Sequence, residues 1–428
     1  MSAVESDDFK EDDLFSSQNI AKYDQNIDFL LNVPANTKVP LRYTPPALNY
    51  GGEKDKEPKK QAQEQDYTFT PLFDLEEEVV TKPEKAPKEF VASPFSYNWS
   101  KASVIDQIVK LFPPNINFFY DVFSGAGNVG INTNAKVITC VDTNSCMTQL
   151  LQFLQKHDFE SLSRTIDFFT ERYNLSNSAA FGYAHYQTTS NDGLNVYNRE
   201  AYLKLRSDFN HLLRQLRIKN FLRFIADQNK EQQSSLRINK ATKQHKPKLQ
   251  YTDDLLIRLL MLIIFGFNSF ARFNSSGEFN LPVGKRDFSY KTREKFKAFY
   301  EATKNKHIEF VENSFLDLDI NQLIQEQAFV FLDPPCILNQ EDLQVSTWSE
   351  KDEEELYLFI EELDKNQIQF ALSTYIQFNG RYNYALLDWC HTNRFNINFI
   401  RRDTDGQELH SEEEFARRTL EVVITNYF

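Results

Sequence analysis

Asp333, Pro334, Pro335 and Cys336 close the apolar run in "FVFLDPPC", residues 329–336. The two prolines fix the backbone and remove two amide donors. The Asp333 carboxylate and the Pro334 carbonyl are then both acceptors, a pair suited to holding an exocyclic NH2 group. Two-point holding aims the nitrogen lone pair at an electrophile, so positioning and electrostatics would do most of the work. Three other readings fit the same residues: a nucleophilic Cys336 thiol, the remnant of a site that has lost its chemistry, and a plain strand-to-loop stop. A buried cysteine is most often a small hydrophobe, and a neighbouring aspartate disfavours its thiolate.

A second constellation is "DVFSGAGNVG", residues 121–130. Gly125 and Gly127 allow close approach of a ligand to the backbone, and the following amides face the same place. Asp142 stands 21 residues after Asp121, at the end of the next apolar run, where an acidic side chain can grip ribose hydroxyls. The loop has no Walker lysine, and Asp121 would repel a pyrophosphate. Both features favour S-adenosylmethionine, with its ammonium and sulfonium charges.

These residues need a scaffold that brings strand ends together. Residues 117–123, 135–142, 308–311, 328–333, 367–373 and 419–428 read as strands. Residues 145–156 and 199–225 read as helices. Ser349 caps a further helix with Asp352 at its third position, and Leu356, Phe359, Ile360 and Leu363 form its buried stripe. Strands separated by helices imply an α/β fold with a mostly parallel sheet, which binds ligands at the carboxyl ends of its strands.

Composition narrows the partners. The chain has 428 residues, 41% of them hydrophobic, with 38 phenylalanines, and no apolar run of membrane-spanning length. The N-terminus, MSAVESDDFKEDD, is too acidic for a signal peptide. Cys140, Cys146, Cys336 and Cys390 form no C-x-x-C pair and read as reduced thiols of a cytoplasmic protein. The seven histidines form no H-E-x-x-H, so no metal site is expected. The net charge of −13 hides an uneven distribution, because residues 199–306 hold 23 Lys and Arg against 10 Asp and Glu, a local net of +13. Such a block is a phosphate-binding footprint or a solvated basic face. Residues 1–85 carry Pro45, Pro46 and a charged stretch; this composition cannot offset the ordering entropy of a fold, so a disordered tail is expected. Its two apolar patches, FLLNVP and YTFTPLF, could dock on the body or on a partner.

Taken together, the motifs resemble those of the Dam-type, alpha-group adenine-specific DNA methyltransferases, over residues 93–428. "PFSYNWSK" (94–101) resembles the opening cofactor motif, with Tyr97 and Lys101 at contact positions. "DVFSGAGNVG" resembles the glycine loop and "VDTN" (141–144) the ribose motif. "YNREAYLKLRSDFN" (197–210) and "FNSFARFNSSGEFNLPVGKRDF" (267–288) resemble the target-recognition segment, "FVFLDPPC" the catalytic motif, and "LEVVITNYF" the closing strand.

The resemblance implies a Rossmann-like S-adenosylmethionine-dependent sheet with an inserted, mainly helical target-recognition domain. Its parts would be a cofactor half at 93–160, the basic domain at 161–306 and a catalytic half at 307–428. It implies that Tyr97, Lys101, Asp121, Phe123, Gly125, Gly127, Asp142, Ser314 and Asp333 line the cofactor site. It implies that Asp333, Pro334, Pro335 and Cys336 surround the amine of a flipped adenine. Asn268, Arg272, Asn274, Gly277, Asn280, Lys285 and Arg286 would meet double-stranded DNA. A cognate restriction endonuclease or a protein that binds the tail would be further partners.

The chain departs from the family pattern at three places. Trp99 replaces a usual glycine, Ser314 a common aspartate, and Cys336 the aromatic ring that stacks on the flipped base. Base–aromatic stacking is worth about 1–3 kcal/mol. A weakly active or inactive homologue that binds DNA or a partner is therefore an alternative. Cytosine C5 methylation through Cys336 is a minor one, because those enzymes also use an FSGAG-like loop and a Pro-Pro-Cys nucleophile.

Overall fold

The structure is a computed structural model, and it describes residues 90–95, 101–234, 248–339, 348–401 and 419–428. The expected disordered tail and its apolar patches, Tyr97 and Trp99 lie outside the described residues. A helix, α1 (Ile105–Lys110), precedes strand β1 (Ile116–Val122), the short helix α2 (Asn128–Asn132) and strand β2 (Ala135–Asp142). Helices α3 (Ser145–Lys156), α4 (Phe159–Tyr173), α5 (Leu194–Ser234), α6 (Asp253–Phe265) and α7 (Tyr290–Lys304) follow. Strand β3 (His307–Glu312), helix α8 (Ile320–Glu326) and strand β4 (Phe329–Leu332) return the chain to the sheet. It continues through α9 (Glu350–Lys365), β5 (Gln369–Phe378), β6 (Arg381–Tyr382), α10 (Tyr384–Asn393), β7 (Asn396–Ile400) and β8 (Leu420–Thr425).

The sheet order is β3-β2-β1-β4-β5-β8-β7, with β6 paired to β5. The pairs among β3, β2, β1, β4 and β5 are parallel, and β8 runs antiparallel between β5 and β7. The winding from β1 to β3 moves outward, and β4 then starts again on the other side of β1. That reversal is a topological switch point, the position at which sheets of this kind bind ligands in a crevice outside the carboxyl ends of their strands. The glycine loop follows β1, and Asp333 follows β4. The amide of Asp333 donates to the Val122 carbonyl at 3.1 Å, so the two loops leave the sheet side by side.

Phenylalanine fills the space below. Phe112 packs its ring 5.0 Å from Phe329 and 5.5 Å from both Phe119 and Phe331. Helix α9 begins with the expected capping box, in which the Ser349 hydroxyl accepts from the Asp352 amide and the Asp352 carboxylate accepts from the Ser349 amide. Its stripe of Leu356, Phe359, Ile360 and Leu363 is buried, as the spacing predicts.

The segment between β2 and β3 is mainly helical, as expected. Helix α6 is buried along all of Leu255–Phe265. Arg258 is the one charge in that run; it is held by Asp254 at 3.1 Å and by the Tyr173 hydroxyl. Helix α5 extends well beyond the predicted 199–225 and backs a hairpin in which Phe273 and Phe279 pair. The Asn210 side chain grips the hairpin at both backbone groups of Phe279, at 2.8 and 3.0 Å. Arg217 donates to the Gly277 carbonyl at 2.9 Å, and Arg206 to that of Leu281 at 2.9 Å. No helix among the described residues is long and apolar enough to cross a membrane.

Candidate active site

The glycine loop is shaped by backbone that side chains rarely adopt. Phe123, Gly125 and Gly127 have φ of 64°, 52° and 74°. Gly127 caps α2, and a Cβ there would stand 3.0 Å from the Phe310 ring. Asp142, at the end of β2, holds the loop from the side. Its Oδ2 accepts from the Gly125 amide at 2.8 Å and its Oδ1 from the Asn144 amide at 2.7 Å. Each oxygen keeps a second lone pair. Burial raises the Asp142 pKa, against those two amides.

Asp121 is 1% exposed and turns beneath the loop, where its Oδ2 accepts from the Gly130 amide at 2.8 Å. Burial pushes its carboxyl up to about 8, opposed by that amide and reinforced by Asp333 and Asp142. The folded state therefore binds this proton more tightly than the unfolded chain, whose Asp titrates near pH ~3.9. The contribution of Asp121 to stability accordingly falls as pH rises from about 4 to about 8. Asp121→Asn, whose amide oxygen can still accept from Gly130, is expected to lose less melting temperature than wild type between about pH 5 and about pH 8. Thermal melts at the two pH values check this; an unchanged difference would contradict it.

Lys101 lies 3% exposed at the centre of the site. Its Nζ is 3.0 Å from Asp333 Oδ1 and 2.8 Å from Glu421 Oε1, and it sits 5.1 Å from the centre of the Tyr375 ring. Burial pulls the Lys101 pKa down, but Asp333, Tyr375 and Glu421 outweigh it and raise the pKa. Lys101 is therefore a fixed cation at neutral pH and cannot serve as a base.

Asp333 is 23% exposed and carries the ion pair on its Oδ1. Cys336 is 8% exposed. Burial pushes its thiol up to about 11, with Glu353 adding to the rise and the backbone near Leu338 and Tyr375 and the Lys101 charge opposing it. It is a protonated thiol at neutral pH, which disfavours nucleophilic attack.

Aromatic rings flank the crevice. Phe123 is 5.4 Å from Phe315 and 5.6 Å from Trp348, centre to centre. The Trp348 indole donates to Glu353 at 2.7 Å. Ser314 caps the short turn Phe315–Asp317, its hydroxyl accepting from the Leu316 amide at 3.3 Å.

Phe123, Gly125, Gly127, Asp142 and Asp333 thus lie at the carboxyl ends of β1, β2 and β4, with Lys101 paired to Asp333 and Asp121 buried beneath the loop. Asn268, Arg272, Asn274, Gly277, Asn280, Lys285 and Arg286 instead belong to the helical segment, on and around the 272–280 hairpin. Arg272 donates to Asn280 at 2.9 Å, and Asn274 caps the hairpin by accepting from the Glu278 amide at 2.9 Å. Lys285 pairs with Asp192 at 2.9 Å, both exposed, while Arg286 and Asn268 are exposed. An exposed pair is worth little, about 0–1 kcal/mol, and is readily exchanged for a phosphate. Three residues of the site escaped the sequence reading: Tyr375, Trp348 and Glu421. Glu421 left a trace there, as the one charge in the otherwise apolar strand "LEVVIT".

The carboxylates around this crevice suit a cationic ligand, and the glycine loop suits one that lies against backbone. A family model for D12 class N6 adenine-specific DNA methyltransferases matches residues 97–416. The chain is 26% identical over 347 residues to Modification methylase StsI of Streptococcus sanguinis. It is 28% identical over 345 residues to Type II methyltransferase M.FokI of Planomicrobium okeanokoites and 24% identical over 341 residues to Modification methylase LlaI of Lactococcus lactis subsp. lactis. These alignments cover 78–79% of the chain but 43% of each relative, so the chain spans under half the length of the relatives it matches. The crevice at the switch point, the Asp-Pro-Pro turn beside it and the extent of the match place the chain in the D12 class N6 adenine-specific DNA methyltransferase family.

Proposed function

We propose that the protein moves a methyl group from S-adenosylmethionine to the exocyclic amine of a flipped adenine in double-stranded DNA, as a site-specific, Dam-type modification enzyme. The observation that carries this reading is the adjacency of two strand ends: the Asp333 amide bonds to the last carbonyl of β1, so the Asp-Pro-Pro turn and the glycine loop share one crevice. S-adenosylmethionine supplies an electrophilic methyl on a positive sulfur.

The chain's own residues supply position and field. Gly125 and Gly127 would let the backbone approach the donor, Asp142 would accept from its ribose hydroxyls, and Phe123, Phe315 and Trp348 would offer ring faces to its base. The Asp333 carboxylate and the Pro334 carbonyl accept the two amine hydrogens and turn the nitrogen lone pair outward. As the nitrogen–carbon bond forms and the sulfur–carbon bond breaks, the nitrogen becomes positive, and Asp333 is the nearest anion to stabilise it. The surplus proton then passes from the nitrogen to the Asp333 carboxylate that already accepts from it, and from that partly exposed group to solvent. The cationic Lys101 holds Asp333 in place and takes no proton.

The 161–306 segment is the DNA-binding domain in this reading. The exposed Arg272, Lys285 and Arg286 would meet phosphate or base edges, and the hairpin is braced from behind by α5. The 93–160 and 307–428 segments form the two halves of the catalytic domain, joined through β1 and β4.

Purified protein with labelled S-adenosylmethionine should transfer label to adenine in duplex DNA. Label recovered on cytosine, or none at all, would overturn the proposal. In the same assay Cys336→Ser should stay within about threefold of wild type, because a protonated, buried thiol acts as packing. Complete loss in that variant would restore the thiol-nucleophile reading.

A further inference from the structure

Glu421 has no assigned role in the chemistry above, yet its placement is unusual. It sits in β8, where all six residues are buried, and is itself 1% exposed. Its register partners are Tyr375 on β5 and Ile400 on β7, and the β5–β8 ladder slips between Tyr375 and Gln377, next to it. A carboxylate in the middle of a sheet is costly unless paired, and a buried ion pair gives little stability over apolar packing.

The cluster also holds more anion than its cation needs. One carboxylate neutralises Lys101, but two lie within 3.0 Å of its Nζ. Among the described residues, Tyr375 also acts on Lys101, Cys336 lies within reach of the Lys101 charge, and Asp121 lies near Asp333. An ammonium bound to Asp333 alone would draw density from its oxygens and weaken them as acceptors. Sharing that ammonium with a second anion limits the effect.

We propose that Glu421 is a positioning residue for methyl transfer: by sharing Lys101 with Asp333 it fixes the lysine and keeps the three-residue cluster net negative beside the target amine. This rests on the methyltransferase reading. Glu421 acts through Lys101 and touches no substrate.

The test is a labelled-methyl transfer assay with the full chain on duplex DNA. It compares wild type, Glu421→Gln, Lys101→Met and the double variant, with DNA affinity and melting temperature measured alongside. Gln keeps the size of the side chain and an oxygen for Lys101, so only charge is removed. Glu421→Gln should lower kcat about tenfold, leave DNA affinity within about twofold, and move the acidic limb of the rate profile to lower pH. The limb moves down because the whole Lys101 charge then acts on Asp333; a packing defect would not shift it. In the Lys101→Met background the same substitution should cause no further loss. Glu421→Gln matching wild type, or a double variant tenfold below Lys101→Met, would overturn the role of Glu421. Should Glu421→Gln fail to fold, the comparison of Lys101→Met with the double variant decides alone. A wild-type protein that transfers no label removes the methyltransferase reading and Glu421's role with it, whereas an active wild type beside an unaffected Glu421→Gln removes that role only.

Discussion

Asp333→Ala is expected to lower methyl transfer by roughly a thousandfold while leaving the fold intact. The loss follows from removing the charged acceptor at the amine; electrostatic groups aimed at developing charge are typically worth about 10²–10³ in rate each. The fold should survive because Lys101 keeps Glu421 at 2.8 Å, so the buried ammonium is still paired. Pro334 and Pro335 still hold the turn. Single-turnover transfer with a melting curve in parallel checks both halves. Activity within tenfold of wild type would mean that Asp333 is not the acceptor. A collapsed melting temperature would mean that its main task is structural.

Lys101→Met should behave in the opposite manner, failing first in stability. It leaves two carboxylates facing each other without a cation, one of them 1% exposed. Removing one partner of a buried ion pair costs about 3–5 kcal/mol. At a few degrees per kcal/mol for a chain of this size, the melting temperature should fall by roughly 5–10 °C. Transfer should fall as well, because Asp333 loses the contact that fixes its rotamer. The wild-type lysine contributes this stability at every pH below the ordinary lysine value and loses it only above its raised folded value, so neutral conditions are far from either limit. Melting curves near neutral pH would settle the point, and a variant as stable as wild type would show that the ion cluster is dispensable for folding.

The two variants separate what was legible in the sequence from what was not. The end of β4 before Asp333, Pro334 and Pro335 was readable because its cause is local: two prolines after an apolar run stop a strand. Strand β2 matches its predicted span residue for residue, and the Ser349 box sets the start of α9, because both signals reside in adjacent residues. Asp121 was readable as lying near the end of β1, but its direction was not. It turns beneath the loop to the Gly130 amide, a contact set by how α2 folds back over β1.

Other features depend on parts of the chain that meet only after folding. Helix α6 is buried along Leu255–Phe265 and so carries no polar face to mark a helical period. The antiparallel entry of β8 between β5 and β7 leaves no local trace, since it depends on which edges are open once the parallel strands have assembled. The partnership of Lys101 with Glu421 could not be seen for the same reason.

That last partnership bears on the order in which the molecule becomes competent. Lys101 and Glu421 are 320 residues apart, so a ribosome making this chain produces the lysine long before its second counter-ion exists. At about 5–20 residues per second the interval is on the order of 15–60 seconds. Asp333 itself follows Lys101 by 232 residues, so the full set of parallel strands and the Lys101–Asp333 pair can form only during the last 88 residues before Glu421 is made. The cluster gains its second carboxylate when β8 slots in beside β5, which makes the arrival of β8, rather than the pairing of the parallel strands, the event that arms the site.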